Sequence, residues 1–140
     1  MSHPRADIRR AAREALSALP RFSGFSVLTV WPGTLDAETL PVLGVLIPQE
    51  QFTQHSRASV TCRSLLQVVV RRGGSDSIED DLDEDSDAIW AAITGAFLRP
   101  QQGCFLEDMS SVPNTDGYTN IGTLVMSFRV TTFRNIPTGR

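Results

Sequence analysis

The acidic run from Glu79 to Asp87 is the stretch whose residue types and spacing could bind a metal ion, because it holds seven of the sixteen acidic residues. Three of its aspartates have the i, i+2, i+4 spacing of an EF-hand calcium loop, namely Asp81, Asp83 and Asp85. That loop also needs a glycine and a bidentate glutamate, and Ser86 and Ala92 stand at those two positions. We therefore expect no calcium site and no cofactor, and only weak, diffuse association of Mg²⁺ with these carboxylates.

Groups that could carry out catalysis are scarce. His3 and His55 are the only histidines, and lysine is absent. Neither histidine accompanies a nucleophile motif, and no Walker A, GxGxxG or HExxH pattern occurs. A metal-dependent nuclease would need carboxylates on rigid strand ends with a lysine or histidine nearby, whereas the acids of Glu79–Asp87 form one contiguous run. The sequence therefore predicts a protein that is not an enzyme.

Arginine supplies all thirteen basic residues. Its side chain pairs bidentately with carboxylates and is enriched at protein interfaces. Arg71, Arg72, Arg129 and Arg134 would form a basic patch at strand ends. We expect such side chains to pair with the acidic run, within one chain or between subunits, rather than to bind nucleic acid.

Length and composition indicate one domain of 140 residues, with an ordinary hydrophobic fraction of 41%. No apolar run approaches the roughly 20 residues needed to span a bilayer. Arginines interrupt the N-terminal segment where a signal peptide would need an apolar centre. These features predict a cytosol-like compartment and no membrane partner. Cys62 and Cys104 lie far apart in the sequence, and we expect both to be reduced.

The central predicted element is a strand from Ser59 to Arg72, which starts with alternating residues and becomes wholly apolar around Leu65–Val70. Glycines at 73 and 74 end this strand. The acidic run then leads into a predicted helix over Ala88–Phe97. We interpret the acids as a loop in which Asp or Ser caps that helix.

The other predicted elements surround this unit. They are a helix over Pro4–Leu19 capped by Ser2 or His3, strands over Phe25–Trp31 and Leu40–Ile47, a protruding hairpin over Gln49–Arg57, a strand or irregular link over Cys104–Val112, a turn at Pro113–Gly117, and a strand over Tyr118–Phe133. The tail Arg134–Arg140 is expected to be mobile. The predicted fold class is α/β of the α+β kind: a single mixed, mainly antiparallel β-sheet packed by helices, in one domain over residues 1–140.

The order of these elements resembles the tail terminator proteins of long-tailed phages, the group of the lambda minor tail protein U. The matching stretches are Asp36–Ile47, Ser59–Val70, Asp85–Phe97 and Asp116–Thr132, which cover most of the chain. The first includes the segment Leu-Pro-Val-Leu-Gly-Val-Leu that begins at Leu40. The resemblance implies a mixed α/β fold and a structural protein of the virion.

The resemblance also implies a function in assembly. A homohexameric ring would cap the finished tail tube at the head–tail junction of the virion, after assembly in the host cytoplasm. One face of the ring would bind the tail tube protein, and the other would bind a head-completion or connector protein. DNA would pass through the pore without sequence-specific binding.

Charge-complementary subunit sides would suit such a ring. The candidate subunit or ring-face contacts are Arg57, Arg63, Arg71, Arg72, Glu79, Asp80, Asp81, Asp83, Glu84 and Asp85. Two alternatives stay open. One is another head–tail joining protein of a phage, and the other is a monomeric acidic adaptor or metal-binding module that uses the acidic run as its surface.

Overall fold

One five-stranded sheet with two helices forms the fold in a computed structural model, which describes residues 3–29, 40–74, 76–98, 103–116 and 119–139. The predicted α+β fold is confirmed. The elements are α1 (Pro4–Ser17), a short 3-10 turn (Pro20–Phe22), β1 (Ser26–Leu28), β2 (Val42–Gln54), β3 (Ser59–Gly74), α2 (Ile78–Phe97), β4 (Gly103–Asp116) and β5 (Thr119–Asn135).

Strand β3 lies at the centre of the sheet, whose order is β1-β2-β3-β5-β4. Antiparallel pairs join β2 to β3, β3 to β5 and β5 to β4, while β1 pairs in parallel with β2. Strand β5 follows β3 without a register shift over its whole length. The apolar run predicted for the central strand therefore has a neighbour on each side, as an interior strand requires.

The core lies between one face of the sheet and the two helices. Strand β5 faces the core through alternate residues, and Leu124, Met126, Phe128 and Val130 are each at most 1% exposed. Their side chains pack with residues of both helices and of β2 and β3: Ile8, Ala12, Leu16, Leu43, Val45, Leu66, Val68, Val70, Leu82, Ile89, Ile93 and Phe97. Because both helices pack on this face, we call it the helix face. The opposite, open face carries no helix in the described ranges.

Helix α1 begins where the sequence predicts. His3 is the N-cap, and its ring Nδ1 accepts a hydrogen bond of 3.1 Å from the backbone N–H of Arg5. The helix ends at Ser17 rather than Leu19. Leu19 has extended backbone angles (φ −77°, ψ 129°), because the ring of Pro20 disfavours a helical conformation in the preceding residue.

Helix α2 is ten residues longer than predicted, since it begins at Ile78 instead of Ala88. The interpretation of the acidic run as a loop was wrong. Ile78 and Leu82 extend the buried stripe of the helix by two turns toward its start. Acidic residues in the first turns also interact favourably with the positive end of the helix dipole. These two effects stabilise the helix over the acidic run, although the carboxylates of the run repel one another.

Strands β2 and β3 form a long hairpin, as predicted, but β2 continues through Pro48 to Gln54 rather than ending at Ile47. A register shift between Leu46 and Gln49 accommodates the proline. The sequence left Cys104–Val112 as either a strand or an irregular link. These residues belong to strand β4, which starts at Gly103.

The C-terminal tail is partly ordered. Strand β5 includes Arg134 and Asn135, and the backbone N–H of Ile136 donates to the carbonyl oxygen of Ala58 at 2.8 Å. The predicted turn over Pro113–Gly117 is wrong for Pro113–Asp116, which belong to β4. The end of the first predicted strand at 30–31, Gly117 of that turn and the start of the last predicted strand at Tyr118 lie outside the described residues.

Candidate interaction surfaces

Asp85 is the centre of an ion-pair network that joins α2 to β3 and to the 3-10 turn. Its side chain is 0% exposed. Arg21 Nε donates to Asp85 Oδ1 at 2.5 Å, and Arg72 Nη2 donates to the same oxygen at 3.0 Å. Arg72 Nε lies 3.0 Å from Asp85 Oδ2, an ion-pair distance without the geometry of a hydrogen bond. One buried carboxylate therefore pairs with two guanidinium groups.

Both arginines make further contacts within the chain. Arg72 lies over the ring of Phe25, 5.0 Å from its centroid, and 3.9 Å from a carboxylate oxygen of Asp81. Arg21 pairs with Glu84 at 3.1 Å and donates to the carbonyl oxygen of Asp81 at 2.9 Å. Pairing within one chain is one of the two uses that the sequence left open.

The assignment of Arg72 and Asp85 to a ring face is corrected by these contacts. The carboxylate of Asp85 has no exposed surface, and the side chain of Arg72 is only 17% exposed. Their charges are paired inside the subunit, so neither is free to bind a neighbour. For the other eight candidates, a role in subunit contacts stays a prediction.

The pKa shifts follow from burial of this ion pair. Loss of hydration raises the pKa of the Asp85 carboxyl, while the hydrogen bond from Arg21 and the charge of Arg72 oppose that shift. Burial lowers the pKa of the Arg21 guanidinium, but the hydrogen bond and charge of Asp85 outweigh it, so the pKa is raised. The two directions are compatible, because the desolvation cost falls mainly on the fully buried partner.

Most other acids of α2 face solvent. Glu79, Asp80, Asp83 and Glu84 are exposed, and Asp81 is half-buried. Asp80, Asp83, Asp87 and Trp90 have the spacing i, i+3, i+7, i+10, which places them along one side of the helix. We call these four residues the outer stripe. It combines three carboxylates with an indole that is 49% exposed.

The candidate arginines separate into two groups along β3. Arg63 is exposed on the open face, eight residues from Arg71, or roughly 26 Å of extended strand. Arg57 is exposed in the bend between β2 and β3. Arg71 lies on the open face, and its Nε is buried without a hydrogen-bond partner among the described residues. Only Arg72 of this set is brought to the acids of α2.

A groove of about 330 Å³ lies at the far end of the β2–β3 hairpin. We call it the distal groove, and it is lined by Phe52, Gln54, Val60, Arg134, Ile136 and Pro137. Phe97, at the end of α2, contributes to a different depression together with Thr132. Since Arg134 lies two residues further along β5, the distal groove is beyond the end of α2. The side chain of Phe52 is 56% exposed there.

Strand β4 forms one edge of the sheet over fourteen residues. Three of its large apolar residues are exposed: Phe105 at 56%, Met109 at 45% and Val112 at 57%. The register places Phe105 and Val112 on the open face and Met109 on the helix face. A register shift between Leu106 and Asp108 adds one residue to this strand, and Glu107 there pairs with Arg129 at 2.9 Å.

Sequence reasoning missed the distal groove and the apolar character of the β4 edge. The segment Gln49–Arg57 was interpreted as polar throughout, although Phe52 is a large apolar residue within it. In β4, alternation is interrupted at Glu107, so the strand pattern is weak. Phe52, the aromatic residue within this otherwise polar hairpin, is the sequence feature that could have indicated the groove.

The two histidines considered for catalysis make contacts that stabilise the fold, and the aspartates considered for metal binding do not share one site. His3 caps α1, and the ring Nε2 of His55 forms a hydrogen bond with the hydroxyl of Thr61. On a helix, residues two positions apart lie on nearly opposite sides. The side chain of Asp83 therefore points away from those of Asp81 and Asp85, and the three carboxylates cannot bind one ion together. In the described ranges no group of three or more metal-ligating side chains occurs. Weak Mg²⁺ association stays a prediction.

The cysteines are both free, as expected. Cys62 is buried and Cys104 is half-buried. Burial raises the pKa of the Cys62 thiol, and it raises the pKa of Cys104 to about 11. As for membranes, the described helices include none with the length and apolar character to cross one.

Comparison with known proteins returns solved structures that match this chain at low identity, and two of them are described here. No family model and no curated protein matches this chain. A crystal structure of the type 4 fimbrial biogenesis protein PilO from Pseudomonas aeruginosa has 15% identity and a TM-score of 0.34, and the match covers 94% of this chain and 65% of that one. The core region of PilO from the type IV pilus system of Pseudomonas aeruginosa has 17% identity and a TM-score of 0.28, covering 69% and 83%.

These comparisons contradict the tail-terminator prediction. The two solved structures named above are PilO proteins of a pilus system, and no family or curated match supports a phage protein. Membership of the lambda minor tail protein U group, a hexameric cap on a tail tube, a head-completion partner and a place in the virion are therefore withdrawn. The two alternative functions are unsupported as well. TM-scores this low carry no argument about a role in pili, and the chain spans about 65% of the length of the first PilO structure.

Proposed function

We propose that this chain is a non-catalytic subunit of a protein assembly, which joins its neighbours through the β4 edge of its sheet. The observation that carries the proposal is the apolar exposure of that edge. Phe105, Met109 and Val112 expose about half of their side chains along a single strand. An edge strand also presents unpaired backbone N–H and C=O groups, which a strand of another chain can pair with.

Edge strands of free-standing proteins are usually protected. Short length, lysine, proline or inward-pointing charge prevents pairing with other chains. Strand β1, at the other edge, is three residues long in the described ranges, whereas β4 is fourteen residues long. The acids Glu107 and Asp108, the register shift beside them and Pro113 give β4 partial protection, but the segment from Met109 to Val112 carries none of these features. A covered β4 would bury apolar side chains that the isolated chain leaves in water.

The absence of catalysis is part of the proposal. It is supported by the roles of the polar side chains described above. Both histidines contact neighbouring residues of their own turns, and the buried carboxylate Asp85 pairs with arginines. These contacts stabilise the fold, and the hydroxyl among them, that of Thr61 beside His55, belongs to a buried residue that a substrate would not reach.

The test is the mass in solution, measured by light scattering after size exclusion over a range of protein concentrations. We expect a mass above the 15.4 kDa of one chain. Replacing Phe105 and Val112 together by lysine should lower that mass, because lysine on an edge strand disfavours pairing. The control is Ser17→Lys, which adds a positive charge at an exposed position at the end of α1.

Backbone exchange provides a second readout. In the assembly, the amides of β4 should exchange more slowly with deuterium than they do in the lysine variant. A wild-type mass of 15.4 kDa at every concentration, together with freely exchanging β4 amides, would contradict the proposal.

A further inference from the structure

We propose that the distal groove binds the outer stripe of α2 from a second copy of this chain, with Trp90 entering the groove and the stripe carboxylates pairing with Arg134. The inference rests on the proposed function, because it names a contact by which subunits would assemble. It uses a surface different from the β4 edge, so the two can be tested separately.

The groove has the chemistry to accept an aromatic side chain. Its wall is mainly apolar, from Phe52, Val60, Ile136 and Pro137. Its volume of about 330 Å³ is larger than an indole side chain needs. Phe52 is 56% exposed, so filling the groove would remove apolar surface from water. A large rigid aromatic is also the side-chain type most often found at the centre of protein interfaces.

Arg134 gives the groove a charge preference. Its side chain lines the groove, and no carboxylate pairs with it among the described residues. The adjoining hairpin segment 51–63 contains no acidic residue but includes Arg57 and Arg63. An occupant that carries a carboxylate next to an apolar side chain would therefore supply the missing partner of the guanidinium.

The outer stripe matches those requirements. Asp87 precedes Trp90 by three residues, which places a carboxylate and an indole side by side on the helix surface. Asp83 and Asp80 continue the charge toward the start of the helix. Along the described chain, no other exposed aromatic lies on a helix with three carboxylates beside it.

The stripe cannot fill the groove of its own chain. Trp90 lies seven residues, or about 10 Å of helix, before Phe97, and it is 49% exposed. The groove lies beyond Phe97. Contact between the two surfaces therefore requires two copies, and because the surfaces differ, the contact is head-to-tail.

Two single substitutions test the contact by light scattering over a concentration series. Trp90→Ala removes the indole, and Arg134→Glu reverses the charge of the groove. Each should raise the protein concentration needed for association by about tenfold or more. The matched controls are Leu98→Ala, at an apolar residue that is 75% exposed, and Arg10→Glu, which reverses an exposed charge on α1 outside the groove and the outer stripe. Both controls should associate like the wild type, and circular dichroism checks that all four variants fold.

Mixing the two variants gives the sharper test. Trp90→Ala keeps an intact groove, and Arg134→Glu keeps an intact stripe. An equimolar mixture should therefore form a dimer at concentrations where each variant alone is monomeric. A contact that uses the same surface on both copies would not be restored by mixing.

Three outcomes would overturn the inference: a wild type that stays monomeric, variants that associate like the wild type, or a mixture that fails to dimerise. The proposed function fails separately. If lysine at Phe105 and Val112 lowers the mass while Trp90→Ala and Arg134→Glu do not, assembly through β4 stands and the groove contact is wrong. If the groove variants alone have an effect, the groove contact stands and assembly through β4 is wrong.

Discussion

A single carboxylate, that of Asp85, determines how the acidic run is used. The sequence showed seven acids together but no sign that one of them would be buried. The buried position follows from helical spacing, because Asp85 lies between Leu82 and Ile89 on the inward side of α2. Burial there is tolerated because Arg21 and Arg72 both reach it.

Replacing Asp85 by alanine should lower the free energy of unfolding by about 3–5 kcal/mol, since it leaves two guanidinium groups partly buried without their shared partner. Asp83→Ala is the matched control, because Asp83 is exposed on the same helix, and it should change stability by no more than about 0.5 kcal/mol. Urea unfolding followed by circular dichroism measures both. Equal stability of the two variants would show that the network contributes nothing.

The thiol of Cys104 should be slow to alkylate. Desolvation raises its pKa from 9.0 to about 11, so the thiolate fraction at pH 8 falls by about a hundredfold. Peptide mapping after iodoacetamide treatment measures the rate, and the same protein in denaturant is the control. The raised pKa also means that the stability associated with the neutral thiol is fully present below pH 9 and is lost as pH rises through about 11. Rapid labelling at pH 8 in the folded protein would contradict this.

At the scale of elements, strands were predictable where burial is complete and helices where the pattern has one apolar face. The range of β3 and the inward set of β5 follow from apolar runs and alternation. The start of α2 could not be predicted in the same way, because neighbouring acids repel one another and disfavour a helix, whereas the apolar residues Ile78 and Leu82 favour it. Tertiary packing against β5 decides that competition, and a sequence does not show which strand a helix will touch.

Helix α2 packs closely against β5 at Gly122, and a substitution there can test that packing. A Cβ atom there would lie 2.7 Å from Leu82 Cδ1 and 2.8 Å from Ile78 Cγ1, so Gly122→Ala should force the first turns of the helix outward. We expect a loss of about 1–3 kcal/mol in the free energy of unfolding.

Gly95 is the matched control for that substitution. It lies within α2, and a Cβ atom there meets no atom within 4 Å. Gly95→Ala should stabilise the protein by roughly 0.5–1 kcal/mol, because alanine favours the helix. Thermal unfolding of the two variants should therefore shift in opposite directions, and a shift in the same direction would contradict the packing argument.

At the scale of the whole molecule, the fold class was within reach of the sequence and the interaction surfaces were not. An α+β sheet follows from the number and order of apolar segments. The distal groove, by contrast, is assembled from β2, β3, the end of β5 and the residues that follow it, which are far apart in the sequence. Similarity of element order was also an insufficient guide to function, since the assignment to tail terminators is contradicted.

The separation of charge along β3 has a kinetic consequence. Exposed acids occupy the first half of α2, and Arg57 and Arg134 lie at the hairpin end of β3, a strand that spans roughly 50 Å. We expect the charges of the described residues to produce an electric dipole along the sheet. Two copies that diffuse toward each other would be rotated into a head-to-tail orientation before they touch. Their association rate should therefore fall steeply as ionic strength rises, while the dissociation rate of the apolar contact changes little.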